Sequence, residues 1–256
     1  MKNYKLIAKI KGFKTLICND PKKALAQLKK IPGIKNVKEA DDEDQYEIAI
    51  ILGDAYFYNY RFKEAIKYFE QALKNSSCKD RFICYYRLGD CYFEIDKYRK
   101  SVDCYKKALS DKDDISEDIL GQIYHGLVMD YMSMNNFSSA ISEANKIIQL
   151  YKNSKIELEK ELYQSAFSAI STCYWKLGDS EKSEDYFRKT IALPNIAQWI
   201  LEQTYANKGH RLFKNKQWNE AVTYYKKAID ITDSIKNKRY FKTFIKFCNK
   251  ELRKTM

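Results

Sequence analysis

Residues 52–72, LGDAYFYNYRFKEAIKYFEQA, and residues 88–108, LGDCYFEIDKYRKSVDCYKKA, carry the same marks in the same places. Leu52-Gly53, Tyr56, Ala65, Phe69 and Ala72 of the first answer to Leu88-Gly89, Tyr92, Ser101, Tyr105 and Ala108 of the second, with every internal spacing identical. The marks fall at helical intervals on both sides of a short polar break. Each stretch therefore reads as a helix, a turn and a second helix packed back on the first. Glycine and small residues let two such helices approach, and the large aromatics fill the space between one pair and the next.

Three looser copies keep the same phase. They are marked by Tyr131, Ala140, Ala144 and Ile147; by Tyr174, Ser183, Phe187 and Thr190; and by Gly209, Leu212, Ala221, Tyr225 and Ala228. In all five copies the first marker (Tyr56, Tyr92, Tyr131, Tyr174, Leu212) stands nine residues before the small residue of the second helix. The pattern resembles the tetratricopeptide repeat (TPR), whose signature pairs Leu-Gly and Tyr on one helix with small and aromatic residues on the next. Val128 and Ser171 stand where the Gly is expected. A degenerate copy with Ala24, Leu28 and Ile31 on its second helix is read at the N-terminus. Turns are expected at Asn59-Tyr60, Asp96-Lys97, Asn135-Asn136, Gly178-Asp179 and Asn215-Lys216. Helix starts are expected after the caps Asp20 and Asp179. The small residues of successive copies lie 36, 39, 43 and 38 apart, more than the minimal repeat of about 34. Asp111–Asp118 and Tyr151–Glu161 are read as the largest insertions.

The expected fold is all-α: a right-handed α-solenoid of antiparallel helix pairs, five to six TPR-like repeats with a C-terminal capping helix. It is read as a single domain over residues 1–256. Residues 1–40 form the degenerate N-terminal pair, 41–235 the five repeats and 236–256 a basic cap. Phe241, Phe244, Ile245, Cys248 and Leu252 make the apolar stripe of that cap, as Leu6, Ile10, Phe13 and Ile17 do at the other end. Terminal elements of this kind cover the apolar face that a last repeat would otherwise expose.

Composition narrows the function classes. The chain has 256 residues, 45% hydrophobic, with 8 Gly and 3 Pro. No 18-residue apolar run marks a membrane span, and lysines interrupt the N-terminal apolar residues, so a cytoplasmic protein is expected. The seven cysteines are odd in number and scattered. Cys84 and Cys91 lie seven apart on one helix, but without a histidine to complete a ligand set they read as small buried hydrophobes. No nucleophile, phosphate-loop or metal motif appears, and the only histidines are His125 and His210. No enzyme, metal or cofactor is expected.

The net charge of +12 is unevenly spread. Residues 1–40 carry +9, 236–256 carry +7, and the repeats between them carry −4. Basic ends suit an acidic protein, an anionic membrane or nucleic acid. Lys outnumbers Arg by 38 to 8, and Arg is the better phosphate reader. The ends therefore read first as solvated lysine surface, and nucleic acid is not the expected partner.

The resemblance implies that the first helix of each unit lines a concave groove. Residues two before and one or two after the marker would point into it. These are Asp54, Phe57 and Tyr58; Asp90, Phe93 and Glu94; Met129, Met132 and Ser133; Thr172, Trp175 and Lys176; and His210, Phe213 and Lys214, with His125 as a further polar candidate. Such a groove is acidic and aromatic at its start, apolar in the middle and basic at its end. A protein or peptide segment is the expected occupant. The resemblance also implies a test for family members that grip a partner's terminal carboxylate. They carry Lys six residues and Asn two residues before the marker. Here those positions read Ile50, Tyr86, His125, Ser168 and Ala206, then Asp54, Asp90, Met129, Thr172 and His210, so such tails are not expected ligands.

Three readings remain: an adaptor, a peptide-sensing regulator of the quorum-sensing receptor type, and a binder of anionic surfaces through the basic termini. Self-association through terminal helices is compatible with each. On the adaptor reading, changing Asp54, Asp90 and Glu94 together to Lys should abolish binding and spare the fold.

Overall fold

The computed structural model describes residues 8–31, 42–74, 81–110, 115–154 and 160–254. Among these there is no strand; besides a short helical run at 8–11, thirteen helices follow. They are α1 (Phe13–Asn19), α2 (Pro21–Leu28), α3 (Asp42–Phe57), α4 (Phe62–Ala72), α5 (Arg81–Glu94), α6 (Tyr98–Ala108), α7 (Glu117–Ser133), α8 (Phe137–Asn153), α9 (Lys160–Lys176), α10 (Ser180–Ile191), α11 (Gln198–Lys214), α12 (Trp218–Ile231) and α13 (Ile235–Lys254). They are the antiparallel pairs of an α-solenoid, and within each unit a helix touches chiefly its sequence neighbours. The chain divides into two compact units, Met1–Met134 and Asn135–Met256. The division runs through the third copy, leaving α7 in the first unit and α8 in the second.

In the first unit, α3 packs on α4 and α5 on α6, with α4 against α5 and α6 against α7. The amphipathic spacing of α4 buries Ala65, Ile66, Phe69 and Ala72, and that of α6 buries Ser101, Val102, Tyr105 and Ala108. The small residues allow contact and the aromatics supply most of the apolar area. A Cβ on Gly53 would meet the Phe69 ring at 2.4 Å, and one on Gly89 would meet Tyr105 at 2.5 Å. The third copy keeps the register of its marker but carries its glycine elsewhere: Gly126 lies against the other edge of Tyr105 of the preceding copy, where a Cβ would again stand 2.5 Å from the ring. Val128, at the Leu-Gly position, is simply buried.

The N-terminal pair is present as α1 and α2. Ile10, Phe13, Ile17, Ala24, Leu28 and Ile31 share one core with Ile48 and Ile51 of α3. Leu6 lies outside the described residues. Asp20 caps α2 by accepting from the Lys23 amide at 3.0 Å, with Pro21 opening the helix. Part of the basic N-terminal charge is met within this unit: Lys11 pairs with Asp44 at 3.2 Å and with Glu47, and Lys14 reaches Glu47 at 3.6 Å.

In the second unit, α8, α10 and α12 flank α9, α11 and α13. Ser171, the other replacement for Gly, is accommodated by chemistry rather than by space. Its hydroxyl donates to the Ser183 carbonyl and the Ser183 hydroxyl donates to the Ser171 carbonyl, each at 2.8 Å. Tyr225 closes on Gly209 and stacks with Phe241 and Phe244 of α13. Phe241 and Cys248 are buried in this core, with Phe244 and Ile245 packed against it, so α13 covers the last repeat. The insertion read at Tyr151–Glu161 is partly helix, since α8 runs on to Asn153 and α9 begins at Lys160. Residues 111–114 and 155–159 of the two insertions lie outside the described residues.

All five expected turns place the residue four after the marker in the left-handed region: Tyr60, Asp96, Asn135, Gly178 and Lys216, with φ of 59°, 59°, 58°, 85° and 59°. The next amide bonds back to the marker's own carbonyl, as Arg61 to Tyr56 at 3.0 Å, Lys97 to Tyr92 at 2.8 Å, Asp179 to Tyr174 at 3.0 Å and Gln217 to Leu212 at 2.9 Å. This is the six-to-one closure of a Schellman motif, whose left-handed residue is usually glycine. Only Gly178 meets that preference. Lys216→Gly is therefore expected to raise stability by about 0.5–1 kcal/mol, and Gly178→Ala to lower it by about 1 kcal/mol. Thermal unfolding of the two variants checks the signs.

Candidate functional site

The first helices carry the candidate residues, and each unit assembles its own set. In the first unit, Asp54 of α3 and Asp90 of α5 are brought together by Arg87, which the sequence reading had not singled out. The Arg87 guanidinium lies 3.1 Å from Asp54 Oδ1 through Nε and 3.6 Å from Asp90 Oδ2 through Nη1. Tyr105 donates to Asp90 Oδ1 at 2.8 Å. The Arg87–Asp54 contact is an ion pair without hydrogen-bond alignment, and among the described residues Asp54 Oδ1 has no hydrogen-bond partner. Burial raises the Asp54 pKa against the pull of Arg87. Burial likewise pushes Asp90 up to about 6, opposed by the Tyr105 hydrogen bond and the Arg87 charge. Burial alone would lower the Arg87 pKa, yet Asp54, Tyr86 and Asp90 carry it above its ordinary value.

This network changes the expected mutational test. Asp54 and Asp90 are engaged by Arg87 and are not free charges awaiting a partner. Lysine at both positions would set three cations against one another between α3 and α5. The triple change is therefore expected to disturb the fold, against the expectation that it would spare it. Glu94 and Tyr58 are exposed and act on the network only through space, Glu94 adding to the rise of the Asp90 pKa and Tyr58 to that of Arg87.

Phe57 and Phe93 are partly spent within their own repeats. Phe57 meets Phe62 edge-on at 5.5 Å and Phe93 lies 5.8 Å from Tyr98. On α7, His125 and Met129 are half-buried, and burial lowers the His125 pKa. Asp130, also on α7, is fully buried, and among the described residues neither carboxylate oxygen has a hydrogen-bond partner. Its neighbour Ser101 spends its hydroxyl hydrogen on the Gly89 carbonyl at 2.8 Å. Burial drives the Asp130 pKa up to about 7, against a smaller lowering by the Ser101 hydroxyl and with a further rise from the Asp90 charge.

In the second unit, Trp175 of α9 collects two of the candidate lysines. Lys176 Nζ lies 4.9 Å and Lys214 Nζ of α11 5.2 Å from its ring centroid. His210 Nδ1 and the Tyr225 hydroxyl are 2.7 Å apart, and the imidazole packs edge-on against Tyr240 and Phe244 of α13. Burial, then the Lys214 charge, lowers the His210 pKa, so the ring is neutral near pH 7. Phe213 extends the aromatic contact to Phe247 of α13 at 5.3 Å. Tyr240 and Phe247 are thus additions to the candidate set, 50% and 46% exposed. Their signal was the cap's own spacing, since they flank its apolar stripe.

The residue just before each marker is another position the sequence reading passed over. Ala55, Cys91, Asp130, Cys173 and Arg211 are all buried there. Arg211 reaches back to the preceding repeat, donating to Ser183 Oγ and to Ser171 Oγ at 3.2 Å. Cys84 and Cys91 are fully buried packing residues. Among the described residues no three His, Cys, Asp or Glu side chains are grouped to hold a metal. Nor is any helix long and apolar enough to cross a membrane.

Family models described as tetratricopeptide repeat match residues 44–113, 164–195 and 202–232. No curated protein sequence matches the chain. Solved structures match its fold at low identity. RapI in its apo form is 16% identical, with a TM-score of 0.66 over 91% of this chain and 69% of that one. NprR in complex with its cognate peptide NprX is 14% identical, with a TM-score of 0.62 over 99% of this chain and 74% of that one. YrrB, a TPR protein with an unusual peptide-binding site, is 16% identical, with a TM-score of 0.55 over 83% of this chain and 98% of that one.

Proposed function

Because the chain belongs to the tetratricopeptide repeat family, we propose that it is a non-catalytic adaptor holding a segment of a partner protein against its first helices. The observation that carries this reading is the division of labour along those helices. Gly53, Gly89, Gly126 and Gly209 are consumed by packing, whereas Tyr58, Glu94, Lys176 and Lys214 are exposed at the register the family uses for binding. Exposed aromatics beside fixed charges are what a peptide-binding surface needs: the rings supply affinity and the charges supply register. The likeness to NprR and YrrB, whose structures are described with a peptide and with a peptide-binding site, supports a peptide-like occupant. The coverage of this chain by NprR also favours a second reading, a regulator that senses a free peptide, and a small peptide recovered as the native ligand would establish it.

A pull-down from native lysate tests the adaptor reading with Tyr58→Ala and Glu94→Lys in place of changes at Asp54 and Asp90. The expected result is a specific protein captured by the parent chain and reduced severalfold by the paired variant, with helicity unchanged by circular dichroism. Equal capture by both would remove the first unit from the binding surface.

A further inference from the structure

We propose that the second unit takes a carboxylate-bearing peptide segment with an aromatic or leucine anchor, laid across α9, α11 and α13. This rests on the adaptor reading and gives the occupant its chemistry. Lys176 and Lys214 come from neighbouring helices and converge on one indole. Both are exposed, and among the described residues neither has an acidic partner. The two ammonium groups lie 4.9 and 5.2 Å from the same ring centroid and so add to one local positive field. A carboxylate beside the ring is attracted by both charges and accepts a charge-assisted hydrogen bond from either. Some exposed lysines of this unit have acids, as Lys182 has Asp179 at 2.9 Å and Lys189 has Asp185 at 2.6 Å, whereas Lys227 lies over Tyr205 and Tyr224. The pair on Trp175 is thus a local excess of positive charge beside an aromatic surface.

That surface continues from Phe213, next to Lys214, onto Phe247 and Tyr240. Both rings are about half exposed although each already touches an aromatic neighbour, so each offers an apolar edge without needing to move. The field around them is basic, since α13 carries eight Lys or Arg and one Glu. A segment with an acid followed by an aromatic residue or leucine complements both features. A lipid surface is the poorer fit. The apolar stripe of α13 is spent on the core through Phe241 and Cys248, and the exposed rings stand against α11 on a surface that extends to Trp175 rather than along one helix.

The probe is a random dodecapeptide library displayed on phage and selected on the full chain. The expected enrichment is for acids beside aromatic or leucine residues. The best synthetic peptide should lose about tenfold or more in affinity against Lys176→Glu/Lys214→Glu, and lose affinity again against Phe247→Ser. Both lysines are exposed, and circular dichroism of the charge-reversed chain checks that it is folded. The same peptide made as free acid and as amide tells a terminal carboxylate from a side-chain one. Enrichment of basic or neutral sequences, no enrichment, or acidic peptides indifferent to the lysine reversal would overturn the proposal. So would binding to phosphatidylserine vesicles in place of peptide. Peptides lost with Tyr58→Ala/Glu94→Lys but not with the lysine reversal would overturn it while leaving the adaptor reading intact.

Discussion

At pH 8, Asp130→Asn is expected to be more stable than the parent chain by on the order of 3 kcal/mol, and at pH 4 the two are expected to unfold nearly together. The reason lies in one fully buried carboxyl group. Ser101 directs its hydroxyl hydrogen at the Gly89 carbonyl, and among the described residues neither Asp130 oxygen has a hydrogen-bond partner. The lowering that the nearby Ser101 hydroxyl exerts is therefore outweighed by burial. Burial accordingly raises the Asp130 pKa to about 7, from an unfolded value of about 3.9. Between those values the folded chain holds a proton that the unfolded chain releases, so stability falls as pH rises through this window. Above pH 7 the parent chain carries a buried charge without a donor. Asparagine keeps the shape and never ionises. Asp90 shifts in the same direction, to about 6, but it is present in both proteins and largely cancels in the comparison. Urea unfolding at pH 4, 6 and 8 measures the effect. A stability difference that does not change with pH would show that Asp130 finds a donor.

Gly89→Val is expected to destabilise the first unit by about 3 kcal/mol. Its Cβ would stand 2.5 Å from the Tyr105 ring, and the ring has little room to retreat because its other edge lies against Gly126, where even a Cβ would stand 2.5 Å from it. Tyr105 is also held by its hydrogen bond to Asp90 at 2.8 Å. Relief therefore requires α5, α6 and α7 to separate, which sacrifices contacts in the core shared by Phe82, Val102, Ile123 and Leu127. Tyr105→Ala alone is expected to cost about 3–5 kcal/mol through the cavity it leaves. Combined with Gly89→Val, the loss should fall short of the sum by at least about 1 kcal/mol, because the valine methyls occupy part of that void. Strict additivity in denaturant unfolding would show that the clash is relieved elsewhere.

Much of this molecule is legible from one residue per repeat. The marker is followed after four residues by a left-handed turn and after nine by a small residue, and both intervals hold in every copy. They are local: a helix end and a close approach are decided within some twenty residues. The same holds for the caps at Asp20 and Asp179 and for the stripe of α13. The candidate site was legible in outline for the same reason, since register along the first helix names the residues on one face.

What each of those residues meets was decided only by tertiary structure. Asp54 and Asp90 read as a free acidic patch until Arg87 was found between them, 33 residues from the first. Lys176 and Lys214 were two scattered cations until packing placed both over Trp175. Asp130 looked like any helix acid until the Ser101 hydroxyl proved to be spent on Gly89. Repeat spacing determined by itself which helices pair and which residues share a face. Contacts between repeats determined charge, protonation and exposure, because those depend on which side chain from the next helix fills the same few ångströms, and nothing local in the chain encodes that distance.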